Sequence, residues 1–302
     1  MRAVVLSEER RLEVLDVPEP VAGEGQRVVE VRAAGVNYAD VLIREGRYPQ
    51  PPPLPFVPGS EVAGLVDGRR VIGFVRGGGG GYAERAAVDD EWLFDLPDDA
   101  SFEQGAAFLL AFLTAWLPLT RQARVGEGSR VLVTAAAGGV GSAGVQVARA
   151  LGAEVVGAVG SEGKLEHVRA LGASAVTYDQ VAELEPFDAI LDQVGGDLFT
   201  AGLKLLRPLG TIIGIGFAGG PWQPVDPALL VGRSVSASGF YLGRFMKLRP
   251  DVVRAGALDL LELWGSGTIE PAVGAVFALA DVDEALRSVG ERRSVGKVVL
   301  VP

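Results

Sequence analysis

The segment VLVTAAAGGVG, residues 131–141, constrains this chain more than any other. An aliphatic run stops at Thr134. Five residues of Ala and Gly follow, and then SAGVQVARALG carries apolar side chains at helical spacing. A strand that enters a helix through residues this small leaves the first helical N–H groups open to a ligand. Those groups and the helix dipole favour an anion, and the absence of side chains lets phosphates come close. Against the pattern G-x-G-x-x-G, Ala136 takes the first position, Gly138 the second and Gly141 the third. One glycine is missing, so the turn alone is a weak signal.

Its surroundings strengthen it. From residue 130 the chain alternates strands and helices: SRVLVTAA, AEVVGAV, ASAVTY, FDAILDQV, GTIIGIGF and RSVSASGF read as six strands, with helical segments between most of them. That alternation predicts an α/β domain built on a doubly wound parallel sheet, the Rossmann arrangement that binds dinucleotides. Ala137, Gly138, Gly139 and Val140 are then candidate cofactor contacts.

The end of the second strand bears on the choice of cofactor. Domains selective for NAD place an acidic residue there to hold the adenosine ribose. Here the strand ends in Val159, Gly160 and Ser161, and Lys164 follows within reach of a phosphate. The pattern favours NADPH. The plain alternative for Lys164 is a solvated helix charge.

Composition removes other chemistries. With no cysteine the chain has no disulfide, iron–sulfur cluster or thiolate zinc site, and the single histidine, His167, reads as an ordinary helix residue. A net charge of −10 argues against a phosphate-gripping nucleic-acid protein. No segment looks membrane-spanning, and MRAVVLSEERRLEV lacks the apolar core of a signal peptide, so the expected location is the cytoplasm.

Before residue 130 the pattern is different. Residues 1 to about 95 hold short strand-like runs, abrupt turns, a proline-rich loop at LIREGRYPQPPPLPFVPGS and a glycine run at 77–81. That run reads as a flexible hairpin connection or as a loop lining a cleft.

The motifs GVNYAD, PGSEVAG, AAAGGVG and the closing GKVVL, in this order, resemble the zinc-free quinone oxidoreductases. These form the zeta-crystallin-like branch of the medium-chain dehydrogenase/reductase superfamily. The resemblance implies a β-rich, GroES-like catalytic domain over residues 1–112, a Rossmann NADP-binding domain over 113–239, and a return to the catalytic domain over 240–302. It implies NADPH and substrate in the cleft between the domains.

It also implies that Asn37 and Ser60 stand where zinc-dependent relatives carry Cys and His ligands, so no metal is expected. Without a Lewis acid, alcohol dehydrogenation is disfavoured and conjugated acceptors, quinones or enones, remain. The family pattern places Gly160, Lys164 and Tyr178 around the 2′-phosphate, and Ser161 beside Gly160 is a further cofactor-binding candidate. It puts Thr114 and Val194 near the nicotinamide, and Ile215, Phe217 and Gly219 along the cofactor. Asn37 and Tyr48 would face the substrate as catalytic donors to a developing oxyanion. The plain alternatives are a helix start at Asn37 and packing of Tyr48 on prolines. Leu42 replaces a tyrosine common in related enzymes, which leaves the acceptor open.

The expected function is NADPH-dependent reduction of quinones by hydride transfer. The alternatives are an enone or alkenal reductase and a non-enzymatic NADPH-binding protein. A homodimer paired through the edge strand RSVSASGF completes the expectation.

Overall fold

The computed structural model of the protein describes residues 1–220 and 224–302. The chain divides into two units, Met1–Leu110 with Pro271–Pro302 and Ala111–Glu270.

The first unit opens with an antiparallel hairpin of β1 (Arg2–Leu6) and β2 (Leu12–Asp16). Then come β3 (Gln26–Val36), α1 (Tyr38–Glu45), β4 (Glu61–Val66), β5 (Arg69–Val75), β6 (Arg85–Asp95) and α2 (Phe102–Ala106). Strand β3 pairs with both β4 and β6, so β3, β4, β5 and β6 close on themselves like a small barrel. Valines alternating inward from these strands, among them Val29, Val31, Val62, Val71 and Val88, fill its interior. The glycine run is a packed connection: Gly80 and Gly81 donate to Val57 and Gly59 of the proline-rich loop, and a side chain at Gly79 would collide with Phe56.

The second unit begins within α3 (Leu109–Leu117) and continues through β7 (Arg130–Thr134), α4 (Gly139–Ala150), β8 (Glu154–Val159), α5 (Leu165–Ala170) and β9 (Ser174–Thr177). The second half holds β10 (Phe187–Asp192), α6 (Gly196–Lys204), β11 (Leu206–Gly214), α7 (Pro227–Arg233) and β12 (Ser236–Gly239). All six strands are parallel in the order β9-β8-β7-β10-β11-β12, so the direction of growth reverses between β7 and β10. This is the Rossmann order, and ligands of such sheets bind at the carboxyl ends beside that reversal.

Two further helices, α8 (Leu242–Leu248) and α9 (Pro250–Gly265), remain in the second unit. The family pattern returns the chain to the first unit at residue 240, whereas the return comes at Pro271. Packing explains the difference. Gly256 of α9 lies so close to Leu113, Trp116 and Leu117 of α3 that a Cβ there would sit 3.1–3.4 Å from them. The last segment adds β13 (Val273–Ala278), α10 (Val282–Gly290) and β14 (Lys297–Val301), and β14 pairs with β3. Among the described residues no helix is long and apolar enough to cross a membrane.

Candidate functional site

The turn from β7 into α4 shows why Ala can stand in the first glycine position. The Ala136 methyl faces β8 at Gly157, where a Cβ would lie 2.7 Å from it and 2.5 Å from Val168. The missing glycine has moved across to the neighbouring strand. Ala135 adopts φ 48°, a left-handed conformation that costs a non-glycine residue about 1–2 kcal/mol, and it turns the chain into the helix. Gly141 is required for a different reason: any side chain there would collide with the Ala135 carbonyl. Gly138 caps the helix in an extended conformation, and Gly138, Gly139 and Val140 are partly exposed. Ala137 is buried, so its backbone alone is available to a ligand. The result is a bare helix start, suited to a diphosphate.

A second set of residues collects at the end of β8. Val159 is buried, while Gly160 and Ser161 are exposed and carry no charge. The Tyr178 ring lies against Gly160, where a Cβ would be 3.4 Å from it. Lys164 is half-buried at the start of α5, and burial holds its ammonium below the ordinary lysine value. A cation, a phenol and a carboxylate-free strand end suit a phosphate monoester.

Val194, Ile215, Phe217 and Gly219 are brought together by two loops that run side by side after β10 and β11. Ile215 donates its amide to Asp192, Ala218 to Gln193 and Gly219 to Val194. Gly195, at φ 73°, passes the backbone of Phe217 so closely that a Cβ would be 3.4 Å away. Asp192 anchors this corner. Its carboxylate accepts from Thr134 Oγ1 at 2.8 Å and from the amides of Val194 and Gly195, and burial raises its pKa. Gln193 in turn donates to the Thr134 carbonyl. Sequence reasoning passed over Thr134, Asp192 and Gln193, although a polar residue closing each of two apolar strands is a usable signal. Thr114 lies partly exposed on α3, between buried Leu113 and Ala115.

The first unit carries the two residues expected to face substrate. Asn37 occupies the cap of α1, where it and Asp40 form a capping box. Its amide Nδ2 donates to Glu61 Oε1 at 3.1 Å and approaches the Gly35 carbonyl at 3.4 Å, and its Oδ1 accepts from Lys297 Nζ at 2.6 Å. Lys297 also donates to Glu61 at 2.6 Å, and Glu61 accepts the Leu110 amide through its other oxygen. Gly35 leaves the room this carboxylate needs, since a Cβ there would meet Glu61 Oε1 and the Ala106 carbonyl.

A second buried carboxylate adjoins the cluster. Asp40 accepts from the Asn37 amide and from the Tyr82 hydroxyl, each at 2.8 Å. Burial pushes the Asp40 carboxyl up from an ordinary 3.8 to about 6 and the Tyr82 phenol well above its usual range. Tyr48 is half-buried at the entry to the proline-rich loop, its amide bonded to the Leu42 carbonyl. Leu42 itself is a core residue of α1.

Among the described residues no group of three or more His, Cys, Asp and Glu side chains could hold a metal ion.

The alcohol dehydrogenase GroES-like domain family matches residues 23–98, and the zinc-binding dehydrogenase family matches residues 139–262. The chain is 38% identical to a quinone oxidoreductase-like protein 2 homolog of Nematostella vectensis over 92% of this chain and 82% of that one. It is 33% identical to the human synaptic vesicle membrane protein VAT-1 homolog-like over 99% of this chain and 80% of that one. Among solved structures, the quinone oxidoreductase of Thermus thermophilus, studied alone and in complex with NADPH, aligns over the whole of both chains. Its TM-score is 0.92 and its identity 40%.

Proposed function

The chain belongs to the quinone oxidoreductase-like branch of the medium-chain dehydrogenase/reductase superfamily, and from that premise we propose that it reduces quinones with NADPH, without a metal. The observation that carries this reading is the end of β8: the buried Val159 where NAD-selective domains carry a carboxylate, and the Tyr178 ring against the exposed Gly160, with Lys164 two residues beyond Glu162. The NADPH-bound Thermus thermophilus relative supports it.

When bound, the nicotinamide supplies a hydride. The protein's part is to hold and to polarise. The amides at the start of α4 would hold the pyrophosphate, and Lys164, Tyr178 and Ser161 the 2′-phosphate. The paired loops carrying Val194, Ile215, Phe217 and Gly219 would flank the cofactor's other end. A quinone accepting hydride gathers negative charge on a carbonyl oxygen, and a nearby donor lowers that barrier. Tyr48 is the donor we assign to that oxygen.

Within the first unit we assign Asn37 a positioning role, because its amide already serves Glu61 and its carbonyl Lys297. Oxidation of an alcohol would require its hydroxyl to lose a proton as the carbinol carbon gives up hydride, and Asn37 and Ser60 are not the Cys and His ligands that would hold a zinc ion for that step. The working protein would be a cytoplasmic homodimer, a reading supported by β12, whose small residues form the outermost strand of its sheet.

NADPH oxidation followed against a panel of quinones, enones and aldehydes tests the assignment. Turnover of quinones is expected. NADPH binding without turnover of any acceptor would overturn the enzymatic reading.

A further inference from the structure

Ser142 stands in the first turn of α4. Its Oγ lies 2.8 Å from Nε2 of His167 on α5, 25 residues further along. Ser142 is 2% exposed. Its amide is already bonded to the Gly138 carbonyl at 2.8 Å, so the hydroxyl is a separate link, and it also comes within 3.4 Å of the Ala136 carbonyl. One hydrogen bond therefore joins the diphosphate turn to the helix that begins at Lys164.

That helix needs the link. α5 is six residues long, too short to be stable by itself, and its first residue is not capped by a side chain. Its C-terminal end is tied to α4 by Arg149, whose Nη1 donates to the Leu171 carbonyl at 2.8 Å. Its middle rests on β8, with the Val168 side chain closed over Gly157. Apolar contact of this kind resists separation but not small rotations about the helix axis. Lys164 is the cap residue directly before α5, three positions ahead of His167, so the backbone that carries it is the start of the helix that His167 anchors. Holding the imidazole against Ser142 thus holds Lys164 in a fixed direction.

We propose that the Ser142–His167 hydrogen bond sets the orientation of the α5 start and thereby the preference for a dinucleotide that carries a 2′-phosphate. His167 and Ser142 are positioning residues for the cofactor. The inference rests on the NADPH reading above. It predicts that the bond matters more for NADPH than for NADH, which lacks the group that Lys164 reads.

The test is cofactor binding by titration without an acceptor, together with thermal melting, on Ser142→Ala, His167→Leu, the double variant and His167→Gln. Ser142→Ala and His167→Leu should each weaken NADPH binding roughly five- to tenfold, the effect of one net hydrogen bond, and NADH binding less than about twofold. The double variant should lose no more than either single one. His167→Gln, which can place an amide near Nε2, should restore most of the preference. Equal weakening of both cofactors, or none, would overturn the inference, as would full additivity in the double variant. Equal affinities in the unsubstituted protein would overturn the NADPH assignment itself and this inference with it.

Discussion

Lys297 Nζ lies 2.6 Å from Glu61 Oε1, and the two residues come from strands 236 positions apart. Neither side chain is more than 4% exposed. Taking both charges out of water costs several kcal/mol each, and only their pairing and the further bonds to Asn37 and Leu110 offset that cost.

Removing one partner should therefore be far worse than removing both. Lys297→Met leaves the buried Glu61 carboxyl without its cation, and should lower unfolding stability by about 3–5 kcal/mol. Lys297→Met combined with Glu61→Gln should regain more than half of that loss. Urea unfolding of the three proteins checks this, and a single variant losing less than about 1 kcal/mol would show the pair to be dispensable.

Asp40 gives the stability a pH dependence of defined sign. Its carboxyl is raised to about 6, so the folded state holds the proton more tightly than the unfolded state does. The stability this contributes is present below pH 3.8 and is lost as pH rises through about 6. Asp40→Asn keeps an acceptor for Tyr82 and the Asn37 amide and cannot ionise. Relative to the unsubstituted protein, it should gain up to about 3 kcal/mol between about pH 4 and pH 7. The measurement is the difference between the two unfolding curves across that range; a flat difference would show that Asp40 titrates normally.

Lys164→Ala tests the phosphate corner. A hydrogen bond to a charged group contributes about 1.5–3 kcal/mol, so NADPH binding should weaken roughly 10- to 100-fold while NADH binding barely changes. Titration of both cofactors reads this directly. A loss shared equally by the two would remove Lys164 from the 2′-phosphate.

Much of this organisation was legible from local pattern. The Rossmann unit announced itself through strand–helix periodicity, and the bare α4 start through Ala135 to Gly141. The two loops after β10 and β11 were marked only through family resemblance, at Val194 and Ile215. What local pattern misses is the contact between distant side chains. Lys297 opens an apolar strand and looks like an ordinary boundary charge, because its partners Asn37 and Glu61 lie at the other end of the chain. His167 read as an ordinary helix residue because nothing near it in sequence is Ser142. Nor does local pattern say which unit takes α9; the packing of Gly256 on α3 places it with the second.

Asn37 is where stability and activity meet. Asn37→Ala removes an acceptor from Lys297 and a donor from Glu61, so stability should fall by about 1–3 kcal/mol. With NADPH saturating, a positioning role predicts that the rates with a weak enone and with a reactive quinone fall by a similar factor. Loss of stability with both rates intact would confine Asn37 to the buried cluster.

The most direct test of the account compares two acceptors on protein dialysed against a strong chelator: a benzoquinone and a cyclohexenone of the same ring size, with NADPH saturating. Undiminished NADPH oxidation after chelation and a higher kcat/KM for the quinone are expected. A rate abolished by chelation and restored by zinc, or a higher kcat/KM for the enone, would contradict it.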